Sequence, residues 1–157
     1  ERMDADFLRL LEKIGGKMYL GAESGSQRIL DMIDKRITPE RTLEVNRRLA
    51  KFDIHPHYNL MVGFPGETEE EIKTTVSFAF QILKENSRAR VCGLLCLTVY
   101  PGTEFYDWAK EEVVPPETLE EWSCVEFDTP MNPWIKGREK LLRMLYICVR
   151  TELSPVR

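Results

Sequence analysis

The sequence predicts an α/β fold built on parallel strands, and three observations carry that prediction. Three short apolar segments, residues 17–21, 57–64 and 91–99, alternate with stretches whose apolar residues recur at helical spacing. The segments are nearly continuous in apolar character rather than alternating, as strands covered by helices are. Each also runs into a turn followed by a helix, so strand and helix succeed one another three times. The 157 residues are 43% hydrophobic, enough for one globular domain with its own core.

Each element has a local reason. Asp4 can accept from first-turn amides, Phe7, Leu8, Leu11 and Ile14 recur at helical spacing, and Gly15-Gly16 supplies a left-handed stop. Residues 17–21 then form the first strand. Ser24 and Gln27 have capping-box spacing ahead of Ile29, Leu30 and Ile33, which predicts a short helix. Thr38-Pro39-Glu40 places a capping side chain before Pro at the first helical position, and Leu43, Leu49 and Ala50 carry that helix to about residue 51. After the second strand, Thr68 and Glu71 make another capping box before Ile72, Val76, Ala79 and Leu83, the pattern of an amphipathic helix. Tyr100-Pro101-Gly102 breaks the third strand, and residues 103–112 read as a helix. The chain divides into a strand-helix unit, residues 1–114, and a helical extension, residues 115–157. The extension has a polar, tryptophan-bearing stretch, then a helix near residues 138–153 with Leu142, Leu145 and Val149 on one face. Closing a barrel commonly takes about eight strands, so three leave the sheet open or incomplete. Helical pattern almost from Glu1 suggests a piece of a longer protein.

Composition narrows the function. A net charge of −4 and a pI near 5.4 provide no basic field for nucleic acid or anionic lipid. Cys92, Cys96, Cys124 and Cys148 form no CxxC pair and sit in apolar or mixed segments, as buried thiols in a reducing compartment do. A cytoplasmic location is therefore expected. No apolar run approaches the roughly 20 residues of a membrane helix, and no charged leader precedes a short apolar region. The unpaired edge of the first strand predicts self-association of residues 1–157 in isolation.

Parallel α/β folds bind ligands at the carboxyl ends of their strands. Residues 21–26, 63–68 and 100–103 all fall there. Glycine permits close approach, free first-turn amides favour a carboxylate or hydroxyl oxygen, and Glu23 can accept from ribose hydroxyls or an ammonium. Any one segment is equally a tight turn capped by its own Ser or Thr. Three in succession at corresponding strand ends favour a nucleotide-like ligand.

The first segment reads Gly-Ala-Glu-Ser-Gly-Ser, followed by Ile-Leu and Lys-Arg. The second reads Met-Val-Gly-Phe-Pro-Gly-Glu-Thr and the third Tyr-Pro-Gly-Thr-Glu-Phe-Tyr. In that order they resemble the second half of radical S-adenosylmethionine (radical SAM) domains, most closely those with an upstream cobalamin-binding domain. The resemblance covers residues 4–112. It implies the C-terminal half of a partial (β/α)6 TIM-like barrel, three parallel strands with covering helices, here followed by the helical extension. It implies an intact enzyme that binds S-adenosylmethionine and a 4Fe–4S cluster and performs radical-based methylation or another C–H functionalisation, with cobalamin on the upstream domain. By the family pattern, Glu23 and Ser24 lie beside the ribose or methionine part of S-adenosylmethionine, and Lys35 or Arg36 approaches its carboxylate. Asn59 points into the barrel, and Leu97 and Tyr100 flank the adenine. No residue here is assigned a bond-making role.

The sequence departs from the family at the cluster, whose three cysteines are spaced CxxxCxxC; no such run occurs. Cys92 and Cys96 match only the first interval, and in a strand they would face the same way about 13 Å apart. Residues 1–157 alone are therefore expected to be inactive. Plainer readings stand beside these roles. Glu23 could pair with a nearby cation, Lys35 and Arg36 could complement a helix end, and Asn59 could join a polar core network. His55 and His57 share a strand face, but no carboxylate or Cys completes a zinc site, so no metal is expected; they read as beginning the strand in solvent. Glu67 and residues 69–71 read as a complement to the helix dipole, and Trp108, Trp122 and Trp134 as the dock of a terminal helix. Two other functions remain open. One is a methylthiotransferase acting on tRNA or a ribosomal protein, whose basic RNA-binding barrel the acidic residues 117–157 do not resemble. The other is a non-catalytic interaction module. The expected partner is a small-molecule substrate, with neither nucleic acid nor membrane.

Overall fold

Helix α1 (Ala5–Lys13) starts where Asp4 accepts from the Phe7 amide at 2.8 Å. It ends in a Schellman motif: Gly15, at φ +65°, donates to Glu12 O, and Gly16 donates to Leu11 O. The computed structural model describes residues 4–109, 116–123, 137–138, 140–141 and 144. Its sheet has three parallel strands in the order β1 (Lys17–Glu23), β2 (His55–Val62), β3 (Arg90–Cys96). Helices α2 (Gln27–Met32) and α3 (Pro39–Leu49) link the first two strands, and α4 (Glu69–Glu85) links the last two. Helices α5 (Glu104–Ala109) and α6 (Leu119–Ser123) follow.

The expected alternation is present, with shifted ends. Strand β1 runs on to Glu23, β2 starts at His55, and Gly63 at φ +82° turns the chain out of it. Strand β3 stops at Cys96, leaving Leu97 just past its end. The capping box at Thr68 and Glu71 forms in full, and Thr38 caps α3 ahead of Pro39. Helix α2 is capped by Ser26 rather than Ser24, because tertiary contacts take the Ser24 hydroxyl. Of the predicted 138–153 helix, Lys140, Leu141 and Met144 are helical and Arg138 is not; its other residues, the boundary at residue 114, Trp134, Cys124 and Cys148 lie outside the described residues.

One sheet face is covered by helices. Ala22, Tyr58, Leu60, Val62, Val91, Leu94 and Cys96 pack against Ile72, Phe78, Ala79 and Ile82 of α4 and Leu43 of α3. Near the amino ends of the strands, Leu8, Leu49 and Ile54 tie α1 to α3. Asn46, outside the expected apolar stripe, is fully buried and bonded through both its amide nitrogen and its carbonyl oxygen. Its amide donates to Ile82 O, and its Oδ1 accepts from Tyr58 OH and Asn86 Nδ2. The opposite face carries Tyr19, His57, Asn59, Met61 and Cys92 and is less covered.

Cys92 and Cys96 do not share a face. Val91 pairs with Tyr58 and Leu94 with Leu60, three residues spanning the interval of two. The added residue is accommodated by Gly93 at φ +142°, a bulge that reverses the alternation. Cys92 therefore stands on the open face, 3.8 Å from His57 Nδ1, while Cys96 enters the core, where burial pushes its thiol up to about 12.

Candidate cofactor site at the carboxyl ends of the strands

The site begins at an irregularity in β1. Gly21 pairs with Asn59 but Glu23 with Leu60, so Ala22 is extra, and Ser24 N–H closes a tight turn on Ala22 O at 2.8 Å. Glu23, at the centre of that turn, takes φ +60°. Among the described residues the non-glycine residues with left-handed backbone are Glu23, Asp34 and Arg36, all in this region. Such strain gathers where a site fixes its side chains.

Helix α2 stops in a Schellman motif of its own, with Asp34 N–H on Asp31 O, Lys35 N–H on Leu30 O, and Asp34 at φ +48°. The stop turns Lys35 back over β1, where its Nζ donates to Glu23 Oε1 at 2.7 Å. A Cβ on Gly21 would collide with that carboxylate oxygen, so the glycine makes room for the pair. The structure thus brings Glu23 and Lys35 together, with side chains 18% and 33% exposed. Arg36 instead lies in solvent on Asp34.

Ser24 is wholly buried. Its hydroxyl contacts Thr75 Oγ1 of α4 at 3.0 Å and accepts from Ser26 N–H, while Gly25 N–H donates to the same Thr75 oxygen. Gly25 lies against α4 so closely that a Cβ would stand 2.8 Å from Phe78 Cβ and 2.9 Å from Thr74 O. Beside this seal, Glu71 accepts from Arg28 Nε and Nη2 at 2.7 Å each, from Ser26 Oγ at 2.9 Å, and from Thr68 N–H and Oγ–H. Arg28 above all, with Thr68 and Ser26, holds the Glu71 carboxyl down to about 2 despite its partial burial.

The second turn, after β2, is organised by Glu67, which is 4% exposed. Its reading as a complement to the helix dipole did not anticipate this burial. Its Oε2 accepts from Gly63 N–H at 2.5 Å and Phe64 N–H at 3.1 Å, while Oε1 has no hydrogen-bond partner among the described residues. Burial pushes this carboxyl up to about 7, against the two amides that favour its ionised form. Sequence reasoning missed both Glu67 and Arg28. Both are polar residues in ordinary turn and helix contexts; the approach of α2 to α4 gives Arg28 its role, and the folding of the turn back over its own carboxylate gives Glu67 its role.

At the third turn, Tyr100 stacks on Trp122 with ring centroids 5.5 Å apart. Leu97 is buried with Ile29 and Phe64, and Phe105 meets Phe64 edge-on. Asn59 sits opposite Gly21, half-buried on the open face. A cavity of about 250 Å³ opens along β1, lined by Gly21, Ala22, Lys35, Arg41, Thr42 and Tyr58 among others. His55 and His57 begin β2 half-buried rather than in solvent. His57 lies 4.9 Å from the Tyr19 ring, and burial first, then the charges of Lys17 and Arg90, lower its pKa.

These donors suit a zwitterionic ligand with ribose hydroxyls. A carboxylate and an ammonium stand side by side, and Lys35 uses one of its three N–H donors on Glu23. They do not suit a 4Fe–4S cluster: the sequence has no CxxxCxxC run, and among the described residues no three His, Cys, Asp or Glu side chains converge.

A family model for the radical SAM superfamily matches residues 1–79. The chain is 35% identical over 92 residues to an uncharacterized methyltransferase of Pyrococcus horikoshii, covering 59% of this chain and 19% of that protein. It is 37% identical over 94 residues to a tRNA-2-methylthio-N(6)-dimethylallyladenosine synthase of Orientia tsutsugamushi, covering 59% and 20%. A threonylcarbamoyladenosine tRNA methylthiotransferase of Aquifex aeolicus is 34% identical over 91 residues, covering 52% and 21%. The matched stretch spans about a fifth of each relative.

Proposed function

Because this chain belongs to the radical SAM superfamily, we propose that its carboxyl-end turns seat S-adenosylmethionine in an enzyme that methylates a small-molecule substrate or functionalises its C–H bond. The observation that carries the reading is the Glu23–Lys35 pair, held over Gly21 by a strained turn and a strained helix stop. In this reading Glu23 accepts from a ribose hydroxyl or the ligand ammonium, and Lys35 reaches the ligand carboxylate. Asn59 contacts the cofactor from the open face of β2, and Leu97 and Tyr100 border the adenine. Ser24, with its hydroxyl turned into the protein, acts by shaping the turn. Arg36 serves as a ligand contact only on leaving Asp34.

When bound, S-adenosylmethionine supplies the sulfonium whose carbon–sulfur bond is broken. The residues of this chain bind and orient it, and the apolar side chains of Ile29, Phe64 and Leu97 exclude water beneath it. The cluster ligands of the full-length protein lie outside these 157 residues, as do the strands that complete the barrel. Residues 1–157 alone are inactive in this reading. None of the three relatives described above carries cobalamin in its name, and cobalamin enters no step of this reading. A cytoplasmic enzyme is the simplest setting; among the described residues no helix is long and apolar enough to cross a membrane.

A second reading, methylthio transfer to tRNA, is favoured by the names of two of the relatives. To separate the two, the full-length protein, purified anaerobically and reduced, is incubated with S-adenosylmethionine and either bulk tRNA or a small-molecule extract, and products are read by mass spectrometry. The leading reading predicts modified small molecules and unchanged nucleosides. A methylthioadenosine nucleoside establishes the second, and no consumption of S-adenosylmethionine overturns both.

A further inference from the structure

We propose that Arg28 and Glu71 are positioning residues that clamp the first two turns of the site into one unit and so set the affinity for S-adenosylmethionine. The inference rests on the reading of the site given above. Arg28 follows the first turn and Glu71 follows the second, 43 residues later, and they meet through a two-pronged fork of 2.7 Å bonds. The other members span the same gap. Arg28 Nη2 donates to Gly66 O in the second turn at 3.0 Å, Ser26 of the first turn donates to Glu71, and Thr68 of the second donates to it twice. One carboxylate thus takes five donors from both turns, using both oxygens. Glu23 lies three residues before Ser26 on a backbone with little freedom, so displacing α4 from α2 moves Glu23 against the Gly63 and Phe64 backbone. A ligand that bridges the turns registers that displacement as lost affinity.

The molecule supplies its own control. Arg47 and Glu85 join α3 to α4 through a 2.8 Å bond, with side chains 53% and 22% exposed, against 52% and 17% for Arg28 and Glu71. That pair lies at the opposite end of α4, away from the turns. A pair whose role is only to hold helices together behaves alike in both places; a positioning pair does not.

Neither conservative change at the clamp reproduces it. Lysine cannot supply the fork, and glutamine offers one accepting oxygen where glutamate uses two. Full-length, cluster-loaded protein is titrated calorimetrically with S-adenosylmethionine as wild type, Arg28→Lys, Glu71→Gln, the clamp double variant and Arg47→Gln, with a thermal melt of each. The clamp variants are expected to bind about tenfold more weakly, and the double variant no more weakly than the worse single, as residues acting through one clamp do. Arg47→Gln is expected to keep wild-type affinity whatever its melting temperature. If Glu71→Gln does not fold, Arg28→Lys, at the half-exposed partner, carries the comparison. Clamp variants that bind within twofold of wild type overturn the proposal, and so does an equal loss in Arg47→Gln. A wild-type protein that takes up no S-adenosylmethionine overturns the underlying reading of the site, a result distinct from either.

Discussion

The two ends of the sheet stop a helix with the same hydrogen bonds but different residues. Before β1, α1 ends on Gly15, for which a left-handed backbone carries no steric cost. Beyond β1, α2 ends on Asp34, which bears that cost and turns Lys35 over the strand. The polar groups differ in the same sense. Asn46, on the amino side, engages both its amide nitrogen and its carbonyl oxygen, with Ile82, Tyr58 and Asn86. Glu67, on the carboxyl side, is as thoroughly buried but leaves one oxygen without a described partner. The amino end meets its backbone and polar needs without strain, while the carboxyl end keeps strain and an incompletely satisfied carboxyl beside the proposed ligand seat.

Substitutions at the two ends should therefore separate stability from binding. The largest effect is expected from Gly25→Val. Its new atoms meet α4 backbone and Phe78 Cβ within about 3 Å, lowering stability by about 2–3 kcal/mol in denaturant titration and abolishing cofactor uptake. Next comes Glu67. Folded, its carboxyl keeps its proton to about pH 7, whereas unfolded it releases it near the ordinary value of 4.5. The folded state therefore holds the extra proton between these values, and Glu67 makes stability fall as pH rises through that window and level off above it. Glu67→Gln should flatten this slope, and a melting profile of unchanged slope would count against it. Glu71, held at about 2, has the opposite sign: its stabilisation is lost as pH falls from 4.5 toward 2.

Tyr58→Phe tests the amino side. It removes the bond to Asn46 and should cost about 1 kcal/mol in denaturant titration. The smallest effect should come from Asp34→Gly, which relieves the left-handed strain and loses only an exposed ion pair. A gain of about 0.5 kcal/mol, accompanied by weaker binding as Lys35 loses its fixed approach, would sharpen the contrast.

Much of this fold is legible in short stretches of sequence because the deciding interactions are local. Thr68 and Glu71 cap their helix within three residues, and Pro39 sits one residue beyond its capping Thr38. Part of what escaped sequence reasoning depends on distant partners. Ser24 and Ser26 are both plausible caps, and Thr75, 51 residues from Ser24, decides between them. Glu67 stands in an acidic run at a helix start, yet the turn before that helix folds over it. The reversal at Cys92 had a readable signal, since a glycine inside a strand marks a bulge and Gly93 follows directly. At the site, Glu23 and Lys35 were both legible, whereas their mutual contact and the turning of Arg36 to Asp34 depend on left-handed residues that no local pattern announced.

Calorimetric titration of the full-length, cluster-loaded protein with S-adenosylmethionine, wild type beside Glu23→Gln, tests the central claim most directly. Saturable binding by the wild type, weakened about tenfold or more when the charged acceptor is replaced, is the predicted result. Equal affinity in the two proteins, or no binding by the wild type, would contradict it.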